Sequence, residues 1–285
     1  MSKSRPRPRG LLGALIAAAV AASGAALSAQ DAPAPAPIPD FSSNSAGWIA
    51  QGVNFQLPAN GPHQVVNDPA YPFRPIGING RGEAPTFRVA DLSNPILQSW
   101  TRGELQKRNE RILAGGTGYT RQVSCWPMGT PAFLLYPAQP IFFIQTLKEV
   151  TIIGQMDQQV RHVYLNKPHS KGVTPSWYGE SVGHYEGDTL VVDTIGMNDQ
   201  TWIDNFRTPH TDKLHTIERF HRVNDGKVLE VDLHVEDPGA FTMPWNAVQR
   251  YDQVDQGPLV EFICPENNMN VGDLDPLPAA GKADF

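Results

Sequence analysis

From about residue 123 onward, short runs of β-branched and aromatic residues alternate with turn signals. Eight such runs predict strands over residues 141–145, 150–155, 161–165, 181–185, 189–194, 214–223, 228–236 and 247–251. Closely spaced strands without intervening helices favour antiparallel meander connections. The pattern therefore predicts a mainly β fold, a single antiparallel barrel or sandwich domain with one or two peripheral helices and an irregular N-terminal segment.

A helical pattern is found over residues 94–113. Pro95 lies near its first turn, apolar residues recur along it, and Gly115 and Gly116 end it. Charged residues between the apolar positions predict a helix on the surface. Residues 41–92 are rich in proline, glycine and asparagine without clear periodicity, and we expect them to be irregular.

The N-terminus has the pattern of a secretory signal peptide. Basic residues at positions 3, 5, 7 and 9 precede an apolar run that is too short to span a bilayer, and small residues follow up to position 29. We expect cleavage there, a periplasmic or secreted protein and no membrane span after processing; an uncleaved N-terminal anchor is the alternative. The predicted divisions are a signal peptide (1–29), an Ala/Pro linker (30–40), an irregular and helical part (41–122), the β domain (123–270) and a flexible tail (271–285).

Export changes the charge balance of the chain. Residues 1–29 contain four basic residues and no acidic ones, so their removal lowers the net charge from −6 to −10. Such an acidic protein does not attract nucleic acid through general electrostatics, and we expect no such partner. An oxidising compartment permits a disulfide between Cys125 and Cys264, the two cysteines of the chain. The bond would close a loop of about 140 residues and stabilise the fold by about 4 to 5 kcal/mol; two unpaired thiols are the alternative.

The sharpest local prediction concerns residues 214–236. Asp225 and Gly226 lie between two alternating runs, which predicts a two-residue type I′ turn and pairs Val223 with Val228. Charge-complementary cross-strand neighbours support this register. The complementary pairs are His221 with Glu230, Arg219 with Asp232 and His215 with Glu236.

This register places Glu218 on the apolar face of the hairpin. A carboxylate there would be partly desolvated, which raises its pKa toward the range useful for acid/base chemistry unless Arg161 or Arg222 compensates. The alternative is a structural glutamate in a buried ion pair or a hydrogen-bonded lock.

Two motif matches point to chemistry that the predicted strands do not support. His210, His215 and Glu218 have a spacing that resembles a metal site, but alternation sends His215 and Glu218 to opposite faces of one strand. Ser181 lies in a GxSxG match over residues 179–183, whereas a nucleophile elbow requires a strand followed by a helix. We therefore expect neither a metal nor a nucleophilic serine.

Histidines and aromatic residues concentrate in one stretch of the chain. Seven of the eight histidines lie between His162 and His234, together with Trp177, Tyr178 and Trp202. Such a cluster suits a pocket for a small aromatic ligand, although surface histidines and core aromatics give the same pattern.

The same stretch contains three family motifs. They are PSWYGESVGHYEGDTLVVDT over residues 175–194, LHTIERFHR over 214–222 and VEDPGAFTMPW over 235–245. In these motifs the chain resembles a family of exported bacterial proteins with a PSWxGESxGHxEGDTLVVDT block, and the likeness extends from about Cys125 to Cys264. Tyr185 stands where tryptophan is commoner. The resemblance implies an exported β protein from bacteria that consume plant-derived aromatics, and it assigns no catalytic residue.

Together these patterns predict an exported enzyme that needs no cofactor. It would be a lyase or isomerase that applies general acid/base chemistry to a small, aromatic, plant-derived molecule. The candidate residues are Glu218 as the base, His210 or His184 as its proton partner, Arg161 or Arg219 as the anion holder, and Trp177, Tyr178, Trp202 and Tyr164 as the pocket. The alternatives are a non-catalytic barrel-type protein that binds a small apolar ligand and a structural protein of the envelope. The oligomeric state is left open.

Overall fold

The computed structural model describes residues 38–42, 46–71, 88–116, 125–136, 139–156, 159–255 and 257–262. These residues form a closed barrel of nine strands, in which the first strand pairs with the last. The strands are β1 (Ala46–Ala50), β2 (Ile141–Gln145), β3 (Glu149–Gly154), β4 (Gln159–Leu165), β5 (Glu180–Glu186), β6 (Thr189–Ile195), β7 (His215–Val223), β8 (Val228–Glu236) and β9 (Trp245–Asp255). A helix, α1 (Ser99–Leu113), and a 3₁₀ turn (Ala132–Leu135) accompany them. The prediction of a mainly β barrel with a peripheral helix is confirmed.

Several predicted segments lie outside the described residues. They are the signal peptide, most of the linker and the tail over 271–285. Cys264 lies outside them as well, so the disulfide with Cys125 stays a prediction. Among the helices that the structure describes, none is long and apolar enough to cross a membrane.

The strand directions give the barrel a seam. Neighbouring strands run antiparallel in every pair except β4 and β5, which are parallel. Directions cannot alternate throughout a closed ring of nine strands, because the number is odd. Residues 166–179, here called the crossover segment, connect β4 to β5 and have the length that a parallel connection needs. The seam is therefore the one departure from the antiparallel connections that the strand spacing favours.

The β7–β8 hairpin has the predicted register. Val223 pairs with Val228, and the pairing continues to the far ends of both strands. Asp225 and Gly226 have φ values of 54° and 81°, as a type I′ turn requires. Glu218 consequently points into the barrel, where it is completely buried.

Large side chains fill the interior of the barrel. Side chains that alternate along the strands are buried there. The rings of Phe143 and Phe220 pack edge to face, with their centroids 5.8 Å apart. Trp48, Trp245 and Tyr251 are each about 1% exposed. The interior is thus a packed core, and sites open to a ligand have to be sought around it.

Candidate functional site

A cleft of about 370 Å³ opens at the seam. The strands β4 and β5 pair over a short stretch, from Val163 opposite Ser181 to Leu165 opposite Gly183. Before Val163 their ladder ends, and the crossover segment forms the wall opposite β4. Residues lining this seam cleft include Arg161, His162 and Tyr164 from β4, Ser170 and Tyr178 from the crossover segment, and Ser181 from β5.

Two glycines allow the crossover segment to approach β6 closely. Gly179 has a φ of 67°, and a Cβ at this position would lie 2.4 Å from the carbonyl oxygen of Ile195. A Cβ on Gly196 would lie 2.3 Å from Cγ1 of Val173. The backbone N–H of Ser176 also donates to the carbonyl of Gly196 at 3.0 Å. These contacts fix the second half of the cleft wall.

A buried ion pair lies behind the cleft. Arg161 and Glu218 are 1% and 0% exposed, and both terminal nitrogens of Arg161 donate to the carboxylate, with Nη1 at 2.8 Å from Oε1. Arg161 Nε donates to the hydroxyl of Ser181 at 3.1 Å, and Nη2 donates to that of Thr194 at 2.7 Å. The two hydroxyls lie 2.8 Å apart. This network gives the buried charges their hydrogen-bond partners.

Glu218 lies on the inner face of the hairpin, as predicted. Its buried ion pair with Arg161 corresponds to the alternative given for this residue, a structural glutamate rather than a catalytic base. Both of its oxygens accept hydrogen bonds from Arg161. Burial raises the pKa of nearby Tyr251 well above its ordinary value, and the negative charge of Glu218 raises it further. Proton transfer by Glu218 would first require Arg161 to leave the carboxylate.

His162 is a titratable side chain of the cleft that the sequence analysis missed. Its Nδ1 contacts Glu149 Oε1 on β3, and Thr151 donates to the same oxygen at 3.1 Å. The hydrogen bond from His162 is the largest cause that lowers the pKa of Glu149, so this carboxylate is ionised at neutral pH and Nδ1 is the donor. The ring of His162 also stacks on that of Tyr164, with centroids 6.4 Å apart. Within the described residues, no hydrogen bond involves its Nε2.

The register across β3 and β4 is the signal that could have revealed this histidine. His162 pairs with Thr151, and Glu149 pairs with Tyr164, so Glu149 and His162 are diagonal neighbours on one face. The predicted strand began at residue 150 and therefore left Glu149 out. The residues between the two strands contain no turn signal that fixes their register.

Aromatic side chains line part of the cleft. Tyr178 forms part of the crossover wall, and Tyr164 is 41% exposed, with Lys167 Nζ 5.8 Å from its ring centre. Trp177 packs edge to face against Trp126 at 5.2 Å and is not among the residues that line the cleft.

His210 and Trp202 belong to another part of the molecule. His210 lines a second cleft of about 770 Å³ beside α1. Its Nδ1 donates to the carbonyl of Thr211 at 3.0 Å, so its Nε2 accepts from the hydroxyl of Thr201 at 2.9 Å. Burial lowers the pKa of His210 and keeps the imidazole neutral. Trp202 is buried, with the guanidinium of Arg108 5.5 Å from its ring centre.

The structure thus divides the residues that were predicted to form one site. Arg161, Tyr164 and Tyr178 meet in the seam cleft, with Glu218 directly behind them. The remaining candidates lie elsewhere: His184 and Arg219 both bind Glu186 on the outer face, His210 lines the second cleft, and Trp177 and Trp202 pack against other side chains.

The strand geometry bears on the two motif matches. His215 lies on the outer face of β7 and Glu218 on the inner face, and Ser181 lies in β5, which is followed by a strand rather than a helix. Within the described ranges, one group of three possible metal ligands lies together on the outer face, with donor atoms within 4.8 Å of one another: His221, Glu230 and Asp232. The guanidinium of Arg250 already binds the carboxylate of Glu230.

The chain matches no protein-family model, no curated protein and no solved structure. The resemblance to an exported family therefore stays a prediction. A barrel fold supports many different activities, so the fold by itself assigns no function to this chain.

Proposed function

We propose that the protein is an exported, cofactor-independent enzyme that applies general acid/base chemistry to a small aromatic molecule in the seam cleft, as a lyase or isomerase. The observation that carries the proposal is that His162, which Glu149 contacts through Nδ1, lines the same cleft as Tyr164 and Tyr178. A carboxylate that orients an imidazole through Nδ1 is the arrangement that many general bases use. In this proposal His162 takes the role that the sequence had assigned to Glu218.

The two ring nitrogens of His162 have different roles in this proposal: Nδ1 binds Glu149 and orients the ring, and Nε2 exchanges the proton with the substrate. Because Glu149 holds Nδ1–H, Nε2 of the neutral imidazole can accept a proton from the substrate. The resulting imidazolium can return the proton to another atom of the substrate or to a leaving group. Isomerases and lyases share this pair of steps, and the proton stays within the histidine and the substrate.

Arg161 supports the cleft from behind and does not contact the substrate, because its side chain is 1% exposed and lies on the face of β4 opposite to His162. Four of its five N–H groups donate to Glu218, Ser181 and Thr194.

The rim of the cleft supports an aromatic ring. Tyr164 and Tyr178 line the cleft with their aromatic rings, and Lys167 adds a positive charge above the ring of Tyr164. A small aromatic molecule therefore matches the rings that line the cleft, and Lys167 is the positive charge beside them for an acid group of that molecule. Plant-derived aromatic acids are the first compounds to test.

The test measures turnover of such a panel by NMR with the purified protein. We expect His162→Gln to lower kcat by about 10² to 10⁴-fold, because the proton-transfer group is lost. Glu149→Gln should give a smaller loss, since the imidazole remains but is less well oriented. His184→Gln is the matched control, because His184 binds Glu186 outside the cleft and its loss should leave turnover unchanged. Full turnover by a folded His162→Gln protein would refute the mechanism.

Ligand binding without catalysis is the second candidate function. An apolar ligand inside the barrel has little support, because the pocket lined by Phe133, Ile141 and Gln159 measures about 10 Å³, which holds at most one water. A bound molecule would therefore occupy the seam cleft in this case too. Equal binding of an aromatic acid by the wild type and His162→Gln, with no product from either, would favour this function.

A further inference from the structure

A row of histidines and carboxylates crosses the outer face of the barrel and includes one residue of the crossover segment. Its neighbouring members contact one another at 2.9 to 3.5 Å. In order, the row consists of Glu180 on β5, His169 in the crossover segment, Asp193 on β6, His215 on β7, and Glu236 and His234 on β8. One wall of the seam cleft is thereby tied to the strands beside it.

His169 and Ser170 make this link. Nδ1 of His169 lies 3.1 Å from Glu180 Oε1, and Nε2 lies 2.9 Å from Asp193 Oδ1. Ser170 donates to Glu180 through its backbone N–H at 2.7 Å and its hydroxyl at 2.6 Å. Ser170 also lines the seam cleft. These four residues, here called the latch, hold the first half of the crossover segment against β5 and β6.

Both hydrogen bonds from His169 to the carboxylates of the latch can form only when the imidazole is protonated. Both nitrogens of an imidazole carry a hydrogen only when the ring is protonated, and here each nitrogen faces a carboxylate oxygen. In the neutral ring, one nitrogen would present a lone pair to a carboxylate, so a hydrogen bond would be replaced by repulsion. The charged groups that face His169 are Glu180 and Asp193, and Asp193 is faced in turn by His215.

Glu180 keeps its charge in mild acid. The hydroxyl of Ser170 is the largest cause that lowers the pKa of this carboxyl, followed by the backbone N–H of Ser170, with a further contribution from His169. Glu180 therefore stays ionised to a lower pH than an ordinary glutamate. Histidine, by contrast, changes charge between about pH 5 and 8.

We infer that protonation of His169 closes the crossover segment onto β5 and β6, so that the wall of the seam cleft is firm in mildly acidic solution and loosens as the solution becomes alkaline. The consequence for ligand binding rests on the proposed function. The closure itself is a property of the chain and can be measured without a ligand.

The test is hydrogen exchange of the amides over residues 169–174 in the full protein between about pH 5.5 and 8. Protection factors are used, because they refer each rate to that of an unstructured peptide at the same pH. We expect protection to fall about tenfold or more across this range, since one charge-assisted hydrogen bond is lost. His169→Gln should have low protection that does not change with pH. His184→Gln, an outer-face histidine away from the crossover segment, should behave as the wild type.

A protection factor that is independent of pH in the wild type would overturn the inference. The inference would also be overturned if the His169→Gln protein kept the full pH dependence of the wild type. Binding of an aromatic acid is measured on the same samples. Its affinity should fall as the pH rises, with the same pH midpoint as the loss of protection. If protection changes with pH as expected but no aromatic acid binds at any pH, the latch is supported and the proposed function fails.

Discussion

The two faces of β7 hold their charges in opposite ways. On the inner face, Glu218 and Arg161 form a completely buried pair that neighbouring hydroxyls complete. On the outer face, His215 binds Asp193 on β6 and Arg219 binds Glu186 on β5, with more than a quarter of each side chain exposed. Buried pairs are costly to break, whereas exposed pairs contribute little to stability and respond to pH and salt. The inner face therefore fixes the barrel, and the outer face is where a change in conditions can act.

Breaking the inner pair should have the largest effect on stability. Glu218→Leu leaves the charge of Arg161 buried without its partner, and we expect the free energy of unfolding to fall by about 3 to 5 kcal/mol. Urea denaturation measures this change. The double variant Arg161→Met/Glu218→Leu should recover most of the loss, because no charge then remains buried.

The matched change on the outer face is Arg219→Met, which breaks an exposed pair with Glu186. Its cost should stay below about 1 kcal/mol. A cost as large as that of Glu218→Leu would remove the distinction between the two faces.

Two threonines inside the barrel sharpen the comparison. Thr194 and Thr216 are paired across β6 and β7, and both are completely buried. Thr194 accepts from Arg161, whereas the hydroxyl of Thr216 has no partner among the described residues. Thr194→Val should therefore cost about 1 to 3 kcal/mol, and Thr216→Val should be neutral or slightly stabilising. Equal costs in thermal or urea unfolding would show that the network around Arg161 adds no stability.

A buried carboxylate outside the ion pair should show a smaller, pH-dependent effect. Burial raises the pKa of Asp204 to about 6, although hydrogen bonds from Thr208 oppose the shift. Because the folded protein then binds this proton more tightly than the unfolded chain, Asp204 should add stability as the pH falls through about 6. We expect a gain of about 1 kcal/mol between about pH 7 and 5. Asp204→Asn should abolish this gain in urea titrations at the two pH values, and an unchanged gain would show that another group causes it.

Local signals predicted most of the barrel wall. The Asp225-Gly226 turn fixed the β7–β8 register and with it the inner position of Glu218. The strand β1 was missed, because Ala46–Ala50 is short and pairs with β9 about 200 residues later. The helix begins at Ser99 rather than residue 94, since the preceding residues bond to the loop after β8 instead, with the N–H of Gln98 donating to Ala240.

The site was harder to predict than the fold. The sequence identified Glu218 as a carboxylate on an apolar face, but its partner Arg161 lies on a strand that is not adjacent to β7. The pair of His162 with Glu149 depends on the register between β3 and β4. The seam cleft lies beside the parallel pair of strands that a closed barrel of nine strands must contain. No short stretch of sequence shows which two strands form that pair.

The most direct test of the account asks where an aromatic acid binds. Backbone NMR shifts are followed while a compound that the protein converts or binds is added. The account predicts shift changes over residues 160–164 and 170–181, with the second cleft beside α1 unaffected. Changes confined to the surroundings of His210, or spread through the barrel interior with none at the seam, would contradict the claim that the seam cleft is the functional site.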